Sequence, residues 1–177
     1  MPRLIDTHAR TVAVLDAAEQ VIAERGLAGL SLRAIAAEAR ISLGSLTSHY
    51  ESRGRLLHLL AQVAGRAWLE GLAERTARGG VADFLPATED DVQDIRVWLS
   101  WCELARSDPQ LRGRVRDVRR EERLLVDRCT DHRLDTDALD VAVALLDGLR
   151  IAVCSAESPM PSERARELWL RQVRAQT

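Results

Sequence analysis

Apolar residues return at helical spacing along nearly the whole chain, and residues able to cap a helix stand where each stripe begins. Val12, Leu15, Ala18 and Ile22 form a first stripe, capped by Asp6 or Thr7 and ended near Arg25 by Gly26. After a short loop over 27–30, Ser31 caps a second helix carrying Ile35, Ala36 and Ala39. Ile41 sits in a tight turn, Ser42 caps a third helix, and Leu46 and Tyr50 lie four apart on one face of it. Glu51 and Ser52 break that run. Ser52 caps a long fourth helix to about Arg78, with Leu56, Leu60, Val63, Ala67 and Trp68 inward.

Gly79, Gly80, Phe84 and Pro86 mark a loop. A fifth helix opens on the acidic run 89–91, favourable at a helix N-terminus, and is apolar on most sides through Ile95, Val97, Trp98, Leu99, Trp101, Cys102 and Leu104. Ser107, Asp108 and Pro109 stop it and start a sixth, whose stripe runs Leu111, Val115, Val118, Glu122, Leu125, Cys129 and His132. Asp135 or Thr136 caps a seventh helix to about Ala156, with small residues every four positions at Ala144, Gly148, Ala152 and Ala156. Pro159 and Pro161 punctuate the chain, and Ser162 caps a last helix with Leu168, Trp169 and Val173. No strand pattern competes. The expected fold is all-α: a three-helix head, a long connecting helix and a helical body.

The stretch 31–57 has a particular shape: short helix, tight turn, short helix, break, start of a longer helix. Helices of two turns are not stable alone and need a helix beneath them, which the sequence supplies on each side. This is the helix-turn-helix arrangement, whose second helix offers its polar face to the major groove of DNA.

Composition narrows the class. With 177 residues there is room for one domain, or for a small module and a larger one. At 46% apolar and 29% charged residues the chain is globular. No apolar run has the length of a membrane span and the first ten residues lack a secretory core, so a cytoplasmic location is expected. The net charge of −2 is uneven: seven arginines face six acids over 1–60 (+1), and the remainder carries −3. All the basic residues are arginines. A head at +1 binds DNA weakly without sequence recognition. Cys102, Cys129 and Cys154 are widely spaced and read as reduced, buried thiols, a shared metal between Cys129 and His132 being the lesser reading. His8, His49, His58 and His132 are scattered, with no nucleophile grouping, phosphate loop or metal spacing, so neither an enzyme, a cofactor nor a metal is expected.

Residues 15–57 resemble the DNA-binding domain of TetR-type bacterial regulators, through AlaGluArgGly (23–26), SerLeuArgAlaIleAla (31–36), IleSerLeuGlySerLeu (41–46), HisTyr (49–50) and SerArg (52–53) before Leu56 and Leu57. The body, with TrpLeuSerTrp (98–101), SerAspProGlnLeu (107–111) and AspGlyLeuArg (147–150), looks like the ligand-binding half of the choline-responsive repressors within that family. The resemblance implies a homodimeric repressor that binds a roughly palindromic operator through residues 1–52 and is released by a small-molecule effector in residues 53–177. The alternative is a helical ligand- or protein-binding module that has lost operator recognition.

Carried over by position, Arg33 would reach a base edge or a phosphate, and Ser42, Leu43, Ser45, Thr47, Ser48 and His49 would face the groove. The helix N-termini at Ser31 and Ser42 would meet phosphates while serving as caps, and Arg53 would bind the backbone. Leu46 and Tyr50 are expected in the core. Three departures stand out. Arg40 replaces the usual turn glycine, at a cost of about 1 kcal/mol or a shifted turn. Thr47 stands where a phosphate-gripping tyrosine is common, and Leu43, which can touch only a thymine methyl, opens the recognition helix.

For the effector, Trp68, Trp98, Trp101, Cys102, Glu122 and Asp147 are candidates: aromatic faces and a carboxylate in an apolar stripe suit a cationic or amphipathic ligand. Against that, Glu122 could pair with Arg119 or Arg150, Asp147 with an arginine across an interface, and the tryptophans could be plain core. For the dimer seam, Ala144, Gly148, Ala152 and Trp169 on the last two helices are candidates, unless the small-residue row packs inside one subunit.

Overall fold

The computed structural model describes residues 3–50 and 52–176, with side chains described for 10–50 and 52–175. Every regular element among them is helical: α1 (Arg3–Gly29), α2 (Leu32–Glu38), α3 (Leu43–Tyr50), α4 (Arg53–Gly79), a 3₁₀ turn (Gly80–Phe84), α5 (Glu89–Ser107), α6 (Pro109–Cys129), α7 (Thr136–Val153) and α8 (Ser162–Gln176). Glu51 lies outside the described residues, as do the side chains of Asp6, Thr7 and His8. No described helix is long and apolar enough to cross a membrane.

The chain divides into two compact units. Met1–Arg66 with Ser100–Val115 form the first, and Ala67–Leu99 with Arg116–Thr177 the second. In the first, α1 packs on α2 and α2 on α3. Val14, Leu15, Ala18, Val21 and Ile22 bury one face of α1, whereas Val12, expected in that stripe, is exposed. Gly26 has φ 63°, a left-handed conformation that interrupts α1 one turn before its end. The two short helices are held as their spacing predicts: Ile35, Ala36, Leu46 and Tyr50 are buried, joined by Leu56, Leu57 and Leu60 of α4.

In the second unit α7 packs on α8, and α8 on the 3₁₀ turn. Its buried side chains include Trp68, Leu72, Phe84, Ile95, Trp98, Val126, Leu146 and Trp169. The turn is clamped by α8: Trp169 Nε1 donates to Val81 O at 2.6 Å, and Arg166 bonds Asp83 at 2.6 Å and Leu85 O at 3.1 Å. Thus the loop expected after Gly79 and Gly80 is an ordered helical turn, built by partners more than 80 residues away. Ala67 is exposed instead of inward. His132 lies beyond α6 with φ 55°, exposed and bonded through Nδ1 to Asp127 at 2.7 Å, so it does not continue that helix's stripe.

Candidate DNA-reading face and effector site

Three serines set the geometry of the head. Ser31 Oγ accepts from Ala34 N–H at 3.1 Å, Ser42 Oγ from Ser45 N–H at 3.0 Å, and Ser52 Oγ from Arg55 N–H at 3.2 Å. Each satisfies an amide the helix itself leaves open, so α2, α3 and α4 begin where these residues stand. All three caps are exposed. The turn between α2 and α3 closes on Arg40. Arg40 N–H donates to Ala37 O at 3.1 Å and Ile41 N–H to Ala36 O at 2.9 Å, with Arg40 at φ 54°. That pair of bonds is the Schellman closure, and it calls for the left-handed residue glycine would supply most cheaply. The turn is therefore not shifted; an arginine is held in it.

On α3, Leu46 and Tyr50 point into the core, and Tyr50 Oη meets Thr11 Oγ1 at 3.5 Å. The opposite face presents Leu43, 37% exposed, with Gly44, Thr47, Ser48 and His49. Nothing comes within 4 Å of where a Cβ on Gly44 would sit, so the backbone there is open to a close approach. The Thr47 hydroxyl donates to Leu43 O and Gly44 O (3.0 and 3.2 Å), and that of Ser48 to Ser45 O at 3.2 Å, leaving lone pairs outward. Ser45 differs from its neighbours. Half-buried, it is bonded by Arg10 of α1, so it is turned toward the head's own scaffold. Arg33 and Arg53 are exposed at the starts of α2 and α4. A concave patch of about 780 Å³ flanks the end of α3, lined by Thr11, His49, Tyr50, Ser52, Arg55 and Gln110 among others.

In the second unit the structure brings Trp68 and Glu122 to one cation, with Trp98 stacked on Trp68. Trp68 and Trp98 are stacked, with centroids 5.6 Å apart and planes 11° from parallel. The Arg150 guanidinium lies 5.0 Å from the Trp68 centroid, pairs with Glu122, and donates to Phe84 O through Nε (3.2 Å) and Nη2 (3.0 Å). The side chains of Arg150 and Glu122 are 1% and 4% exposed. Glu122 is thus matched within the chain, which decides between the expected alternatives: no bare carboxylate waits there. Arg75 approaches Trp68 at 5.7 Å and reaches Asp91 and Asp94 at 3.7 and 3.8 Å.

Burial works against the charged form of Asp91, but hydrogen bonds from Ala87 and Thr88, with the Arg75 charge, outweigh it and hold the carboxyl below its usual range. For Asp94 burial prevails, helped by Asp91 and Asp90 against Arg75, and its carboxyl is pushed up. Burial likewise raises the Cys154 thiol, against Arg96 and Arg150.

Other expected members go elsewhere. Asp147 pairs with Arg119 of the same chain, at about one-third exposure for each side chain. Trp101 and Cys102 belong to the first unit, where Trp101 is 1% exposed. Trp169, expected at a dimer seam, is fully buried against Phe84 and Val81 of its own subunit, so its ring is not available to a second copy. Ala144 and Gly148 are exposed and Ala152 half-buried. With them on the surface of α7 stand Val141 (51% exposed) and Ile151 (58%), which the four-residue row of small side chains did not include. The spacing 141, 144, 148, 151 would have found them, being an apolar stripe in its own right.

These features define a helix-turn-helix regulator with a separate helical body. A family model described as "Bacterial regulatory proteins, tetR family" matches residues 14–60, and one described as "BetI-type transcriptional repressor, C-terminal" matches 73–177. The chain belongs to the TetR family of bacterial transcriptional regulators, with a BetI-type C-terminal domain. Among curated relatives, HTH-type transcriptional regulator BetI of Burkholderia mallei (strain NCTC 10229) is 27% identical over 95% of this chain and 93% of that protein. HTH-type transcriptional regulator PksA of Bacillus subtilis (strain 168) is 27% identical over 60% of this chain and 56% of its own length. The fold is shared with a transcriptional regulator from Rhodococcus sp. Rha1 (TM-score 0.81, 19% identity, 94% of this chain and 95% of that one). It is shared too with the multidrug binding protein EbrR solved with ethidium (TM-score 0.65, 26% identity, 92% and 98%).

Proposed function

We propose that this transcriptional regulator is a homodimeric repressor. Residues 1–52 hold a two-fold operator, and residues 53–177 carry the dimer seam and release the operator when a small amphipathic or cationic molecule binds. The observation that carries the reading is the exposed face of α3, Leu43–Gly44–Thr47–Ser48–His49, set between three serine-capped helix N-termini. Helix N-termini attract phosphate, and the outward threonine and serine oxygens can accept from base amino groups. In this reading Arg33 and Arg53 grip the backbone or a base edge and Ser31 and Ser42 double as phosphate contacts. Ser45, held by Arg10, supports α3 instead of touching a base. Dimerisation is supported by the exposed apolar stripe on α7, where Ala144 and Gly148 allow a second helix close in and Val141 and Ile151 supply the area.

The effector reading is supported by the stacked Trp68–Trp98 pair. It is supported also by the likeness to EbrR, a protein solved with ethidium, proflavin and malachite green, which are aromatic cationic dyes. A cytoplasmic setting follows from a DNA target. The decisive test is an electrophoretic shift on the DNA upstream of the protein's own gene, across a range of salt. Sequence-selective binding that weakens steeply with salt is expected. Binding that is neither selective nor salt-sensitive would favour a helical module that no longer reads an operator.

A further inference from the structure

Resting on the effector reading above, we infer that Arg150 is the resident cation of the effector site and that an effector acts by taking its place. The groups that hold the guanidinium are ones that recognise an organic cation: the Glu122 carboxylate, the Phe84 carbonyl and the ring of Trp68, itself stacked on Trp98. These groups come from α4, α5, α6 and the 3₁₀ turn, whereas the cation comes from α7 alone. Trp68 Nε1 is buried with no hydrogen-bond partner among the described residues, a donor that the donor-only guanidinium cannot satisfy. A buried carboxylate without a counter-charge is costly, and the chain supplies that charge from α7.

The consequence is specific. A ligand cation can reach Glu122 and the Trp68 face only when the guanidinium leaves both, so binding and withdrawal of Arg150 are one event. The tethered arginine competes at the high effective concentration of an intramolecular group, and the intrinsic affinity of the box for a free cation is masked by that factor. Arg150 therefore sets specificity: only a cation with enough added aromatic or apolar contact displaces it.

Two measurements test this. In Arg150→Ala, added methylguanidinium should refill the box, giving a saturable rise of several degrees in Tm and a change in tryptophan fluorescence that the wild type does not show. A variant that responds no more than the wild type overturns the proposal. Proflavin should bind Arg150→Ala at least tenfold more tightly than the wild type, and Glu122→Gln placed on top of Arg150→Ala should cancel that gain. Equal affinity for wild type and variant overturns displacement. If Arg150→Ala does not fold, Arg150→Lys keeps a charge near Glu122 but gives up the planar stack and the paired bonds to Phe84. It should bind proflavin several-fold more tightly than the wild type, and unchanged affinity there is equally fatal. Failure of proflavin to bind any of the proteins would refute the cationic-effector reading, while the methylguanidinium response still decides the nature of the box.

Discussion

Ile151 is the residue at which the dimer reading is most exposed to refutation. It stands 58% exposed on α7, one helical turn from Gly148, where a Cβ would meet nothing within 4 Å. Burying a whole isoleucine side chain is worth roughly 1.5–3 kcal/mol, so covering its exposed part stabilises by about 1–1.7 kcal/mol. A two-fold interface uses the residue twice, which doubles this to roughly 2–3.5 kcal/mol. Ile151→Asp removes that contribution and, in a closed seam, adds two desolvated carboxylates. The dimer dissociation constant should therefore rise by about 30- to 300-fold from lost burial alone, more with the charges. Because the side chain is exposed in the subunit, the variant should keep its helix content and lose little intrinsic stability. Sedimentation equilibrium over a concentration series gives the constant directly, and an operator shift should weaken with it. A variant whose dissociation constant is unchanged would refute the assignment of α7 to the seam, as would a wild type that sediments as a monomer at tens of micromolar.

In the turn of the head, Arg40→Val places a β-branched side chain at a left-handed φ and should lower stability by about 1–3 kcal/mol in denaturant titration, while Arg40→Gly should not lower it. Leu46→Ala should cost about 2–5 kcal/mol of head stability, because its side chain is 1% exposed. Leu43→Ala, at 37% exposed, should leave the Tm nearly unchanged and alter operator affinity instead. The depressed Asp91 carboxyl contributes stability that is fully present above its unfolded value near 4 and is lost as pH falls through the lower folded value. Asp91→Asn should therefore be less stable than the wild type at pH 7, and the gap should close as pH falls through the lowered folded value; a gap that persists in acid would mean the loss is not electrostatic.

What could be read from the sequence was local. Ser31, Ser42 and Asp135 cap helices through amides three residues on, so their roles lie within the reach of a short stretch of chain. The inward turn of Leu46 and Tyr50 is likewise a matter of helical phase, whereas the left-handed demand at Arg40 came from the resemblance to TetR-type regulators, which usually carry glycine there. The all-α fold followed from the same periodicity.

The tertiary structure decided the pairings. Glu122 and Arg150 are 28 positions apart, Arg10 and Ser45 are 35, and Trp169 and Val81 are 88. Helical phase places a charge or a ring on a face without saying what that face meets. On α7, apolar on several sides, the pattern could not choose which side faces the subunit's interior, so Val141 and Ile151 went unread. In α8 the same limit sent Trp169 inward where a seam was expected. The sequence by itself determined where most helices start and turn, because their end amides are satisfied by near neighbours, the 3₁₀ turn Gly80–Phe84, held by α8, being the exception. Only the packing of distant helices decided which buried charge is neutralised and by whom, because desolvation and pairing depend on groups the local pattern does not bring together.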